Sequence, residues 1–301
     1  MVCFIILHYL SISETNTCIA SLKKYLKNQF KIVVVDNASP NNSGKELLEQ
    51  YYDDETVDVI LNPENAGYAR GNNIGYLYAK KKYNPNFIIV MNNDVEIEDQ
   101  FFITKIASIY EEEHFDVLGP DIYSTSFLAH QSPKRISHFT LEEVKNLNKQ
   151  YKIALASPVK LRIKCFFKRS FYLRKKKYQA SRLKIDFKKK YYNVPLHGAC
   201  VIFSKQFIDK FDYAFFPGTF FYFEMEILDY LCMKNNLKVV YNPSIQVLHH
   251  QNVSTNVAYN NIYDKTIFSY KSNIKSSEAF IDLVEGDCNG ESSKDGKSDI
   301  T

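Results

Sequence analysis

Three polar runs in the first third of the chain carry residue types able to hold charge. Asp36 opens Asp36-Asn37-Ala38-Ser39, and a carboxylate there suits N–H or hydroxyl donors. Asn92-Asn93-Asp94 offers neutral hydrogen-bonding amides and one hard oxygen ligand for Mg²⁺ or Mn²⁺. Between them Gly67 and Gly71 flank Arg70, where small residues admit close backbone approach and the start of a helix favours an anion. Arg70 is either a partner for such an anion or a solvated surface cation.

Stepping outward, the surrounding pattern predicts short apolar strands alternating with helices, the arrangement of βαβ units in a mostly parallel sheet. Strands are expected at Val2–Leu7, Lys31–Val35, Val57–Leu61 and Phe87–Met91, with helices at Ser13–Leu26, Lys45–Tyr52 and about Asn72–Lys82. The β-branched run Ile32–Val35 reads as a strand buried on both faces. All three polar runs then fall at or beside the carboxyl ends of strands, the edge where open α/β sheets bind ligands.

The chain has 301 residues, 45% of them hydrophobic, so it has enough apolar material for a large core and is not disordered throughout. Its six cysteines form no C-x-x-C pair, which argues against a zinc ribbon and fits a reducing compartment. Val2–Leu7 is far shorter than the roughly 20 residues of a membrane helix, so a soluble, cytoplasmic protein is expected. The net charge of +4 hides a segregation: residues 160–190 hold 14 Lys or Arg and one acid, while the remainder holds 24 basic and 33 acidic residues. The body is acidic and any affinity for anionic surfaces belongs to that segment.

Val33-Val34-Val35-Asp36-Asn37-Ala38-Ser39, Asn65-Ala66-Gly67-Tyr68-Ala69-Arg70-Gly71-Asn72-Asn73 and Asn92-Asn93-Asp94, in this order, resemble the family 2 glycosyltransferases. Within that family the likeness is to bacterial, rhamnosyltransferase-like enzymes that build capsule, O-antigen or other surface polysaccharides. The resemblance runs from residue 2 to about 255. It implies a GT-A fold, a nucleotide-diphosphate sugar donor, a divalent cation and inversion at the anomeric carbon. It places Asp36 on the nucleotide base or ribose, with His8 and Tyr9 bordering the same base or packing in the core. Asn37, Ser39, Asn65, Gly67, Arg70, Gly71, Asn72, Asn92 and Asn93 join them as donor-binding candidates. Asp94 becomes the metal ligand; where the family often has Asp-x-Asp this chain has Asn92, which points to a weak site completed by the donor's phosphates.

The second half supplies further matches. His197-Gly198-Ala199-Cys200 resembles the small-residue turn beneath the donor sugar, with Gly198 and Ala199 keeping space open. Phe220 to Leu228 resembles the aromatic motif whose acids open a helix, one of them the base that takes the acceptor's proton. The acid that usually serves aligns with Met225, leaving Glu224 favoured and Glu226 a candidate, or the enzyme impaired. Helical geometry puts these two about 200° apart, so at most one is expected to face the site. Tyr241 to His249 resembles the stretch whose histidine completes the metal shell or touches the diphosphate, which makes His249 the second ligand candidate. Gln131-Ser132-Pro133 resembles a loop of the polysaccharide-building subgroup and has no assigned role.

The expected organisation is a GT-A domain over 1–255: a nucleotide-sugar half (1–125), a variable region (126–195) and an acceptor and catalytic half (196–255). A C-terminal extension (256–284) and a disordered tail (285–301) follow. The basic segment interleaves aromatics such as Phe166, Tyr172 and Tyr178 with its cations, which suits an anionic membrane surface and would bring the enzyme beside a glycan or lipid-diphosphate-linked acceptor. A solvated helical hairpin is the plainer alternative. Nucleic-acid binding is not expected, since no RRM, KH or helix-turn-helix signature is present. Two rival functions are a non-catalytic sugar-nucleotide-binding relative and a nucleotidylyltransferase. The latter needs a Gly-rich loop after the first strand, and residues 7–15 contain no Gly, Lys or Arg.

Overall fold

Strand β1 (Val2–His8) sends Val2, Phe4 and Ile6 to one face and Cys3 and Ile5 to the other, and both sets are buried. Strand β2 (Phe30–Asp36) does the same with Ile32 and Val34 against Val33 and Val35. Apolar side chains on both faces require helices on both faces. In the computed structural model, which describes residues 1–27, 29–168, 170–250 and 261–292, helices α1 (Ile12–Tyr25), α2 (Ser43–Gln50) and α4 (Phe102–Glu113) cover one side through residues such as Ile19, Leu47 and Ile106. Helices α3 (Gly67–Tyr83), α8 (Lys205–Lys210) and α9 (Glu224–Lys234) cover the other through Tyr76, Phe207 and Leu228.

The other strands are β3 (Val57–Leu61), β4 (Phe87–Asn92), β5 (Val95–Glu96), β6 (Val117–Ser124), β7 (Ala129–His130), β8 (Tyr191–Tyr192), β9 (Cys200–Ser204) and β10 (Val239–His249). The ten-stranded sheet runs β3-β2-β1-β4-β9-β6-β10-β5, with β7 beside β6 and β8 beside β10. Strands β1 to β4 are parallel; β9 is antiparallel to both β4 and β6, and β10 is parallel to β6. Most strands therefore share one direction, as expected of an α/β GT-A sheet. Register does the positioning: His8 lies opposite Asp36, and Leu7 opposite Asn92, so the ends of β1, β2 and β4 form one rim.

Helix α3 begins at Gly67, earlier than the expected Asn72. Its orphan N–H groups are met from side chains: Asn37 Oδ1 accepts from Ala66 N at 3.0 Å and Asn65 Oδ1 from Gly67 N at 3.0 Å. A remote Asn cap cannot be read from local sequence.

Helices α5 (Leu141–Leu155), α6 (Pro158–Lys168), α7 (Phe171–Arg182) and α10 (Ile262–Ser292) add a helical layer. A Thr140/Glu143 capping box starts α5. Helix α10 buries Phe280 and Val284 against Val144 of α5 and Ile227 of α9. It runs through residues expected to be tail as far as Ser292; residues 293–301 lie outside the described part, as do 251–255 of the expected catalytic half. The basic segment is largely helical, in α6 and α7, with Phe166 65% and Leu183 85% exposed. Cys3, Cys18, Cys165, Cys200 and Cys232 are buried and free. No helix among the described residues is long and apolar enough to cross a membrane.

Candidate active site

The Asp36 side is built by short polar links. Asp36 ends β2, is nearly buried, and accepts from Ser39 N at 3.3 Å on both oxygens. Ser39 Oγ in turn accepts from Leu10 N at 2.9 Å, tying the β1 and β2 loops together. Gly44 in the first turn of α2 is what admits the carboxylate: a Cβ there would stand 2.1 Å from Asp36 Oδ2. Asn37 is buried and holds the Asn62–Gly67 loop, donating to Asn65 Oδ1 at 2.9 Å and Gly67 O at 3.2 Å. Tyr9, at the end of β1, stays partly exposed beside them.

Beneath this rim His8 is fully buried, sharing hydrogen bonds with Thr15 Oγ1 at 2.7 Å and Ser43 Oγ at 2.8 Å. Burial pushes its pKa down to about 4, so it is neutral near pH 7. Asn93 Nδ2 joins the chain by donating to Thr15 Oγ1 at 3.0 Å. Both side chains thus brace the strand ends from below, and for His8 the expectation of a base-stacking group gives way to the core reading. Gly71 and Gly75 are also packing residues: a Cβ would meet Leu7 Cδ1 at 2.6 Å or Ile5 Cγ2 at 2.5 Å, so they let α3 settle onto β1. Asn72 is buried and donates to Tyr68 O at 2.9 Å, while Arg70 is exposed and donates from Nε to Pro217 O at 2.9 Å. Gly71 and Asn72 therefore lie inside a helix on its packed side, not in an anion-binding loop.

Asp94 and His249 meet because β5 pairs with the end of β10, His249 opposite Val95. Asp94 Oδ1 lies 3.2 Å from His249 Nε2, is buried, and receives no hydrogen bond. Gln131 Oε1 shares a 2.7 Å hydrogen bond with His249 Nδ1; an amide oxygen only accepts, so Nδ1 donates and Nε2 is the ring nitrogen beside the carboxylate. A ring nitrogen and a carboxylate oxygen at this spacing fit adjacent ligands of one cation, given metal–ligand distances of about 2.1 Å. Among the described residues no group of three or more His, Cys, Asp or Glu converges in this way, so further ligands would come from elsewhere. His250 turns away, its Nε2 2.9 Å from Glu96 Oε1.

A cleft of about 210 Å³ opens beside Asn92 and is walled by Tyr68, Gly198, Ala199, Met225 and both Glu224 and Glu226. Tyr68 donates to Gly198 O at 2.7 Å, and Met225 Cγ stands 3.3 Å from where a Cβ on Gly198 would be. Tyr222 and Phe223 precede α9 with φ of 72° and 67°, a left-handed conformation costly for aromatic residues. The turn aims the first residues of α9 at the cleft end-on. That is why both acids line it, against the expectation that only one would: the 200° separation applies to residues along a helix flank, not to an N-terminus pointing inward.

The two acids differ in surroundings. Glu226 pairs with Lys134. Glu224 is 7% exposed, with a weak 3.4 Å hydrogen bond from Thr219 Oγ1. Burial is the main cause of its pKa rising to about 7; the Glu226 charge adds to the rise, while its own backbone N–H, Lys134 and Thr219 oppose it. Nearby Tyr68 is held neutral by burial. His197 also lines the cleft, its ring 5.8 Å from that of His249, and burial lowers its pKa well below the usual value. Asn273 of α10 closes the far wall.

Gly44, Gln131, Lys134 and Asn273 were not among the predicted site residues. Lys134 follows directly on the Gln131-Ser132-Pro133 run, the one local signal available; Asn273 had none.

The glycosyl transferase family 2 model matches residues 3–232. The chain belongs to that family. Among characterised relatives, the low-salt glycan biosynthesis hexosyltransferase Agl10 of Haloferax volcanii is 28% identical over 104 residues, 35% of this chain and 32% of Agl10. The match thus spans about a third of that relative's length. Among solved structures, GalNAc-T7 with UDP, GalNAc and Mn²⁺ gives a TM-score of 0.55 at 14% identity, covering 84% of this chain and 44% of that one. S. aureus TarS in complex with UDP gives 0.50 at 14% identity, covering 83% and 60%. These likenesses establish the GT-A fold of the family 2 chain.

Proposed function

We propose that this protein is an inverting glycosyltransferase that moves a sugar from a nucleotide-diphosphate donor to a hydroxyl of a glycan or lipid-linked acceptor in surface polysaccharide synthesis. The observation that carries the reading is a buried carboxylate poised near neutrality, Glu224, in one cleft with Asn92 and the Gly198-Ala199 turn. Agl10 is a hexosyltransferase by name, and both structural neighbours were solved with UDP, which supports a nucleotide sugar as donor.

In this reading the nucleotide lies along the rim at Asp36, and the sugar sits over Gly198 and Ala199. Glu224 takes the acceptor's proton as its oxygen attacks the anomeric carbon, and the bond to the diphosphate breaks with its electron pair leaving on phosphate oxygen. A Mn²⁺ or Mg²⁺ ion held by Asp94 and His249 would supply positive charge for the departing diphosphate. Glu226, paired with Lys134, sits beside Glu224, and its charge adds to the base's proton affinity. The exposed apolar and basic residues of α6 and α7 suit docking on an anionic bilayer, so we place the enzyme on the cytoplasmic membrane face; binding to anionic but not neutral vesicles is expected.

The test is a thermal-shift panel of uridine and deoxythymidine diphosphate sugars with and without Mn²⁺, followed by transfer assays on Glu224→Gln and Asp94→Asn. Metal-dependent stabilisation by a donor, with turnover lost in Glu224→Gln, is expected. Donor binding without hydrolysis or transfer to any acceptor would favour the non-catalytic reading, which Met225 in the cleft wall motivates. No binding to any nucleotide sugar refutes both.

A further inference from the structure

Arg182 closes α7 and belongs by composition to the basic segment, yet its guanidinium points into the protein. Nε donates to His130 O at 3.1 Å, Nη2 to Gln131 O at 3.0 Å and to Pro133 O, and Nη1 to Lys134 O at 2.6 Å. Its planar face lies 5.0 Å from the Phe187 ring centroid, and that ring stacks on His130 at 4.9 Å. Gln179, three residues earlier, reaches the same loop and donates to Phe127 O at 3.0 Å and Leu128 O at 3.3 Å. The carbonyls gathered here run from the turn before β7 through its last residue into the loop after it. A guanidinium presents five N–H groups in a rigid fork, and a lysine ammonium with its donors on one nitrogen cannot span the same set.

The gathered segment carries two side chains that contact candidate site residues, and Lys134 of the two lines the cleft. Gln131 fixes the His249 imidazole from Nδ1, and Lys134 pairs with Glu226. We infer that Arg182 is a positioning residue for sugar transfer: by collecting four backbone carbonyls of residues 130–134 it sets His249 through Gln131 and Glu226 through Lys134. The inference rests on the transfer reading above. It also removes Arg182 from the cations free to meet lipid.

The test compares Arg182→Lys and Arg182→Ala with Lys149→Ala, which removes one positive charge from an exposed position on α5, outside the basic segment. In both Arg182 variants kcat is expected to fall about 10-fold to 100-fold, since small misplacements of catalytic groups cost that much. The acid limb of the pH–kcat profile moves to higher pH, because Lys134 no longer offsets the charge of Glu226 beside Glu224. Lys149→Ala keeps the wild-type rate and profile. Imidazole ¹⁵N NMR gives a readout independent of turnover: His249 reports the Nδ1–H tautomer in the wild type and a tautomer mixture in the Arg182 variants. Wild-type kinetics and an unchanged His249 tautomer in Arg182→Lys overturn the proposal, as does an equal loss in Lys149→Ala. If Arg182→Ala does not fold, Arg182→Lys decides. If the wild-type protein transfers no sugar, the functional reading falls while the imidazole spectra still judge the clamp.

Discussion

Replacing Glu224 by Gln separates function from stability, and the structure sets the size of the effect. Its pKa rises from 4.5 to about 7 on folding, so at about 1.4 kcal/mol per pK unit the native state bears about 3 kcal/mol for holding it ionised. The sign follows from proton binding: between 4.5 and about 7 the folded form binds the proton more tightly, so stability falls as pH rises through that window and is flat above it. Glu224→Gln removes the charge and keeps the shape. The variant is therefore expected to melt about 5 °C higher than wild type at pH 8.5, using about 2 °C per kcal/mol for a chain of this size, with the gap closing by pH 4.5. Its kcat falls by about 10² or more with the loss of the base. In the wild type, kcat climbs with pH to a plateau just above 7. Differential scanning calorimetry at both pH values, alongside the transfer assay, checks the pair. A Tm gap that is independent of pH, or a less stable variant at pH 8.5, refutes the reasoning that Glu224 is a strained buried base.

Other outcomes follow from single contacts. Gly44→Ala drives a methyl into the Asp36 carboxylate and is expected to destabilise by about 1–3 kcal/mol and weaken UDP binding, read by calorimetry. Lys134→Met frees the negative charge of Glu226 beside Glu224, so the acid limb of the pH–kcat profile shifts upward; a downward shift contradicts the assignment. His249→Ala empties a buried site and strands Gln131 Oε1, so its metal-free Tm falls, and on top of that fall any Mn²⁺-induced rise in Tm is abolished; a retained Mn²⁺ increment contradicts the ligand assignment. Phe280→Ala empties a buried site against Phe223 and Tyr230 at a cost of about 3–5 kcal/mol, and by loosening the left-handed turn before Glu224 it lowers kcat in the surviving folded protein.

Local pattern was enough for the first four strands and for the place of two acids at their ends. The apolar runs at Val2–Leu7, Ile32–Val35 and Phe87–Met91 announce strands buried on both faces because a period of two with no polar side admits no other placement. Asp36 was legible at the rim because a charged residue directly after such a run falls at the strand's end, and Asp94 because Asn92 and Asn93 stop the run at Met91 and put it in the turn beyond. The roles of His8, Gly71 and Asn72 were not, since whether a polar or small residue meets a ligand or a neighbouring element depends on what lies across from it. Thr15 and Ser43 claim the His8 ring, and Leu7 fills the space over Gly71.

By itself the sequence determined the order of the first four strands with their helices and the acidic body with its basic segment, because these follow from residue type and spacing; that Asp36, Asn92, Asp94, Glu224 and His249 belong to one pattern was an implication of the family resemblance. Tertiary structure alone decided that β5 sets Asp94 against His249, that an inward-facing helix end brings both Glu224 and Glu226 to one cleft, and that Lys134 and Arg182 serve it from afar. Those are contacts between segments tens to more than a hundred residues apart, and nothing in a linear chain records distance in space.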